Sequence, residues 1–312
     1  MARRKKTDKP VQNNGDSKNR FRMNAHTAKK LGLTPNRGGR YRLTPRQAKE
    51  YLNLDQHNIK RLFYDIETSP MVCYSWRIGW NLTLSHSNII NDWKVICVSY
   101  KWEGSDKVYN LKWDKNQDDK TLLEKFVKVL DQADEIVAHN GDRFDIKKLR
   151  TRAILQGVPM KPKYRSLDTL KKAKAHFNFN SNSLNNLAKD LNVGEKMPHT
   201  GFQMWVDVVN GSKSALKMMC DYCNVDVIVL EDVYLALQNY ITHNTNVSTH
   251  NGGFKCSCPN CGSEDIELNK NNFTALGTIK REMNCKTCGY NYETSNSAYR
   301  NFIEFKNNTP LI

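Results

Sequence analysis

The chain has 312 residues, 39% of them hydrophobic, nine cysteines and a formal net charge of +16. That length allows one domain of ordinary size with small appendages. No run of eighteen apolar residues occurs, which argues against a helical membrane span, and the basic start MARRKKTDKP lacks the apolar stretch of a secretory signal, so a cytoplasmic protein is expected.

The charge is uneven. Residues 1–60 carry 16 Lys/Arg against 4 Asp/Glu, residues 61–240 carry 25 against 22, and residues 241–312 carry 7 against 6. A basic arm on a nearly balanced body predicts attraction to a polyanion, most simply nucleic acid, and binding that weakens with salt. Residues 1–57 are expected to be this arm, polar and partly disordered. Its one clear helix signal is LTPRQAKEYL, where Thr44 can cap, Pro45 starts the helix and Gln47 completes a capping box. Ala28 and Gly32 have helix-turn-helix spacing, but Gly38 and Gly39 fall where a recognition helix needs an apolar anchor, so a basic linker is the better reading.

Residues 58–240 read as an α/β domain. Strand-like runs occur at RLFYDIE, WKVICVSYKW, KVYNLKW and EIVAHN. The first three have no helical pattern between them and suggest an antiparallel set. DKTLLEKFVKVLDQA has helical periodicity through Leu122, Leu123, Phe126, Val127 and Leu130. Further helices are expected near 143–156, 167–176, 183–191 and 214–240. Three strands, a helix, a strand and more helices is the order of an RNase H-like fold, a mixed sheet flanked by helices. The excursion 68–92, with Trp76 and Trp80, is expected to pack its aromatics or to form a loop on the substrate side.

Chemistry concentrates in three strings. YDIET puts Asp65 and Glu67 at i and i+2 of a strand, so both carboxylates project from one face. AHNGDRFD places Asn140 after a strand and Asp145 at a helix start, with Phe144 as a packing residue. YCNVD sets Tyr222 and Asp226 at i and i+4, one face of a helix. Each alone is weak. In this order, D-x-E, N-x3-F-D and Y-x3-D resemble the three motifs of the DEDDy class, the proofreading-type 3′–5′ exonucleases of the RNase H-like superfamily. The flanking KKLRTR and DYCNVDVIVLEDVY extend the likeness, which is similar to stand-alone phage or bacterial exonucleases and shares YC-x2-D with family-B polymerase proofreading domains.

The resemblance implies two Mg²⁺ or Mn²⁺ ions. Asp65, Glu67 and Asp226 would hold one, Asp65 would bridge to the second, Asp145 would act through water, and Tyr222 would orient the attacking water. The sister DEDDh class has a His five residues before the last Asp, where this chain has Asp221. Other polar residues read as structural: Asp142 as a solvent-facing loop residue, His139 as a strand-end residue, Asp168 as a related acidic position or a helix cap, and Lys171, Lys172 and Lys174 as a solvated face or a phosphate path.

Residues 241–252, ITHNTNVSTHNG, read as a linker, and residues 253–312 as a small zinc ribbon with a tail. CPNCG and CKTCG supply Cys258/Cys261 and Cys285/Cys288, spaced for one structural Zn²⁺, with Cys256 as a spare ligand. Cys73, Cys97, Cys220 and Cys223 read as small core residues. The expected function is a nuclease trimming DNA from a free 3′ end in replication or repair, such as that of a phage in its host cytoplasm, with a replication protein such as a polymerase as the expected partner. The alternatives are a ribonuclease or endonuclease on the same fold, or a binding protein without activity.

Overall fold

A computed structural model describes residues 59–198 and 200–308; the expected arm and its short helix lie outside the described residues. The chain divides into two compact units, Ile59–Thr245 and the stretch from Asn246 onward.

In the first unit, strands β1 (Arg61–Thr68), β4 (Val95–Trp102) and β5 (Val108–Lys112) form the antiparallel set, and β6 (Glu135–Ala138) and β7 (Ser166–Asp168) extend β1 in parallel. The strand order is β5-β4-β1-β6-β7. The three-residue β7 was not legible in the sequence. Two short strands, β2 (Val72–Cys73) and β3 (Ile89–Asn91), pair within the excursion.

Alternation along β1 divides the core. Leu62, Tyr64 and Ile66 pack beneath α1 (Lys120–Leu130) and α2 (Asp145–Leu155), where Phe126 and Leu149 are fully enclosed. Phe63 points to the opposite face, among residues of α3 (Thr169–His176), α4 (Leu184–Asp190) and the C-terminal half of α6 (Lys213–Leu237). A third cluster joins Ile96, Cys97 and Trp113 to α5 (Gln203–Val209) and the start of α6. Period 2 therefore sends Asp65 and Glu67 to the α6 face. The 25 residues of α6 make it about 37 Å long, enough to serve both a core and a site.

Polar ties fix the frame. Asp119 accepts from Arg152 at 2.7 and 2.8 Å and from the Val95 amide at 3.0 Å, linking α1, α2 and β4. Ser212 caps α6 through the Ala215 amide, and Ser183 caps α4 through that of Asn186.

One expectation is corrected: Trp76 and Trp80 do not pack, being 103% and 102% exposed. The boundary between the two units falls within the stretch 241–252, after Thr245; there Ile241 is buried, the Thr245 hydroxyl donates to Glu135 at 2.7 Å, and α7 (Val247–His250) is capped by Asn246. In the second unit, β8 (Ile266–Phe273), β9 (Ile279–Cys285) and β10 (Asn291–Ser295) form an antiparallel sheet of order β10-β9-β8, followed by α8 (Asn296–Asn308). No helix among the described residues is long and apolar enough to cross a membrane.

Candidate active site

Asp65 and Glu67 leave the last turn of alternation in β1, where the register to β4 shifts after Glu67. Asp226 comes down from α6, and one carboxylate oxygen from each of the three lies within 4.8 Å of the others. Tyr222, one helical turn before Asp226, is buried, its ring centroid 6.5 Å from that of Trp205 in an edge-on arrangement. Between them Cys223 donates weakly to the Asp65 carbonyl at 3.5 Å, holding α6 against β1.

Asp145 opens α2, behind the sharp turn that follows β6. Asn140 adopts φ +67°, and a Cβ on Gly141 would stand 2.4 Å from the Ala138 Cβ, so Gly is required there. Asp168 clamps this turn: it accepts from the Asn140 amide at 3.0 Å and the Asp142 amide at 3.3 Å while capping α3 through Leu170 and Lys171. The capping reading of Asp168 thus holds, with the positioning of the second motif added to it.

The electrostatics are unfavourable for the bare acids. Burial, then the charge of Asp226, pushes the Asp65 carboxyl up to about 7. Burial, then Asp65 and Asp226, pushes Glu67 up to about 9. Burial and Asp65 hold Asp145 well above the usual carboxylate range. Asp145 is also left with a buried oxygen, Oδ1, that has no hydrogen-bond partner, a costly state unless something else satisfies it. An all-oxygen donor set, mutually repelling and with an orphaned oxygen, fits hard divalent cations such as Mg²⁺ or Mn²⁺.

One cation of the chain's own reaches the cluster. The Lys196 ammonium lies 2.6 Å from Asp226 Oδ2 and donates to the Tyr222 phenol at 3.1 Å. Burial works against its charge, but Asp226 more than offsets this and raises its pKa. Sequence reasoning missed Lys196, which sits in a polar loop without periodicity. It borders an open cleft of about 680 Å³ that is also lined by His139, Asn140, Lys174 and Asn182.

The remaining polar residues find structural partners. Both His139 ring nitrogens are engaged, with Thr169 Oγ1 and the Asn182 carbonyl at 3.0 Å each. Asp142, read as a solvent-facing loop residue, is half-buried: it pairs with Lys171 at 2.7 Å and accepts from Ser166. Lys172 binds Thr242 and Asn244. Phe144, expected to pack, is 41% exposed.

In the second unit the four cysteines of the two C-x2-C pairs converge, with all sulfurs within 4.8 Å. Each pair is a turn closed by a glycine amide: Gly262 donates to the Cys258 carbonyl at 2.9 Å and Gly289 to that of Cys285 at 2.8 Å, at φ +79° and +74°. Cys258 and Cys288 sulfurs are 3.6 Å apart, as are those of Cys261 and Cys285. These distances are far from a disulfide of about 2.05 Å and close to the ~3.8 Å edge of a tetrahedron with Zn–S of about 2.3 Å. The cysteines therefore fit one structural Zn²⁺. Cys256 stays outside, buried with Met283 and Phe302, and burial pushes its thiol up to about 11. It is a core residue rather than a spare ligand.

No curated protein matches the chain. Among similar solved structures is the family B DNA polymerase from the hyperthermophilic archaeon Pyrobaculum calidifontis, at 16% identity and TM-score 0.45 over 59% of this chain and 25% of that one. The chain thus corresponds to about a quarter of the polymerase's length. Residues 84–238 match the family model RNase_H_2 of the RNase_H superfamily, a span that begins after the β1 carboxylates. With its mixed sheet between two layers of helices, the chain carries an RNase H-like superfamily domain.

Proposed function

We propose that the protein is a metal-dependent 3′–5′ exonuclease that removes nucleotides from DNA 3′ ends during replication or repair. The observation that carries this reading is the convergence of Asp65, Glu67 and Asp226 within 4.8 Å, with Tyr222 one turn away on the same helix and Asp145 electrostatically beside them. Asp65, Glu67 and Asp226 would hold one divalent cation, and Asp65 with Asp145 would serve a second. When bound, such ions supply an activated water and stabilise the departing oxygen of a phosphodiester. The chain's own part is positioning. The Lys196 ammonium donates to the Tyr222 phenol oxygen and so holds the phenol beside the carboxylates, where it would orient a water. Lys196 adds a positive charge beside the carboxylates where a phosphate must approach.

Residues 58–240 form the exonuclease domain, residues 253–312 a zinc ribbon with its tail held by Cys258, Cys261, Cys285 and Cys288, and residues 1–57 a basic tether for nucleic acid. A replication protein such as a polymerase is the natural protein partner.

The test uses end-labelled single- and double-stranded DNA and RNA with Mg²⁺ or Mn²⁺. Progressive shortening of DNA from the 3′ end, abolished in Asp65→Ala, is the expected result. Internal fragments would make it an endonuclease, preferred RNA cleavage a ribonuclease, and binding without cleavage an inactive binder.

A further inference from the structure

The excursion between β1 and β4 is a built structure with an unusual tip. Its neck is tied at the sheet: the Ser69 amide donates to the Lys94 carbonyl and the Lys94 amide to Ser69 Oγ, both at 2.9 Å. Above this, β2 pairs with β3, and the Tyr74 amide donates to the Asn88 carbonyl at 2.9 Å. Past that bond the chain carries Tyr74, Trp76, Ile78 and Trp80, of which Trp76, Ile78 and Trp80 are 99% exposed or more. So much aromatic surface in water, on an ordered neck, marks an interaction site.

Three observations select the occupant. From Ser69 to Asn91 there is no Asp or Glu, while Arg77 lies between the two tryptophans, so the tip suits an anion. At the foot of the neck, the Lys148 ammonium sits 3.7 Å over the Trp93 ring, adding a second basic and aromatic pairing. The neck also leaves β1 two residues after Glu67, so Trp76 lies within about 32 Å of that carboxylate even at full chain extension. Aromatic faces interleaved with a cation bind unpaired bases with little regard for sequence, which is what trimming of arbitrary ends requires.

We propose that Tyr74, Trp76 and Trp80 stack on unpaired bases of single-stranded nucleic acid, with Arg77 on the phosphates, and guide the strand to the carboxylates of β1 and α6. The guiding role rests on the nuclease reading above; the binding role does not.

The test uses the full chain with Ca²⁺ in place of Mg²⁺, fluorescein-labelled oligo-dT and oligo-rU, and anisotropy at low salt. Trp76→Ala and Trp80→Ala should each weaken binding about ten-fold, and Trp→Phe should recover most of the loss. Both side chains are fully exposed, so thermal midpoints should not move. In the wild type, titrated oligonucleotide should quench tryptophan fluorescence, and the Trp76→Phe/Trp80→Phe pair should remove most of that signal. With Mn²⁺, hydrolysis of p-nitrophenyl thymidine 5′-phosphate, too short to reach the tip, should be the same in wild type and Trp variants. If the wild type cleaves but the Trp→Ala variants bind strands undiminished, the inference is overturned and the nuclease reading stands. If nothing is cleaved yet the variants lose affinity, the nuclease reading falls and the stacking surface stands. Unchanged affinity together with a changed oligomeric state in the variants would assign the tip to a second copy of the chain, also overturning the inference.

Discussion

Divalent cation binding to the carboxylate cluster should release protons, and the number should depend on pH in a calculable way. Without a cation, Asp65 titrates near 7 and Glu67 near 9. At pH 6 Asp65 is then about 90% protonated and Glu67 almost wholly so, and at pH 8 Asp65 is about 90% ionised while Glu67 remains about 90% protonated. A cation needs both ionised, so uptake expels about two protons at pH 6 and about one at pH 8. The logarithm of the apparent affinity for Mn²⁺ should rise with a slope near 2 around pH 6 and near 1 around pH 8. Asp145, raised in the same direction, can only add to these values. The sign for stability follows. These folded-state pKa values are raised above their unfolded ones, so the metal-free fold binds more protons than the unfolded chain between about pH 4 and 9 and loses stability as pH rises through that window. Added Mn²⁺ should reverse the loss. Calorimetric titration in buffers of different ionisation enthalpy measures the proton count directly. A count near zero at pH 6, with pH-independent affinity, would refute the reasoning, because the carboxylates would then be ionised before the cation arrives.

Three further perturbations test the frame. Asp119→Ala leaves Arg152 buried without its bidentate partner and frees the Val95 amide; urea unfolding should show a loss of about 3–5 kcal/mol. Gly141→Ala drives a Cβ into that of Ala138 and should cost about 1–3 kcal/mol, with a fall in nuclease activity as Asp145 shifts. Adding Ala138→Gly should restore much of both. Cys285→Ser should abolish a stoichiometric zinc, measured by elemental analysis, and unfold residues 253–308 by limited proteolysis while leaving 59–245 protected.

What could be read from sequence was what local periodicity fixes. Asp65 and Glu67 share a face because strands repeat every two residues, and Tyr222 and Asp226 because helices repeat every 3.6. Both pairs meet in the structure. The C-x2-C pairs were equally legible, since ligand spacing and glycine turns are local. Residues joined only by the fold were not. Lys196 reaches Asp226 across 30 positions of sequence from a loop with no pattern, and the pairing of Asp142 was hidden because its partner Lys171 is 29 positions away. Trp76 and Trp80 were misjudged for a related reason: an apolar residue is usually buried, and only the tertiary surroundings reveal the exception.

Lys196 offers the sharpest view of how the cluster balances its charge. Its ammonium sits on Asp226 and lowers the pKa of both Asp65 and Glu67. It therefore acts in two opposing ways on an incoming cation: it keeps the ligands closer to ionised, and it repels like charge. Replacing it with Met removes both effects. At pH 6, where protons compete hardest, the first dominates, and Lys196→Met should bind Mn²⁺ more weakly than wild type. Well above pH 9 the ligands are mostly ionised regardless, the repulsion is what remains, and the variant should bind more tightly. The two affinity curves should cross between these limits. Lys196→Arg keeps the charge and should follow the wild-type curve even if activity falls, because a guanidinium cannot reproduce the compact contact to the Tyr222 phenol. A Met variant that binds more weakly at every pH would mean that the ammonium shapes the site rather than competing for it.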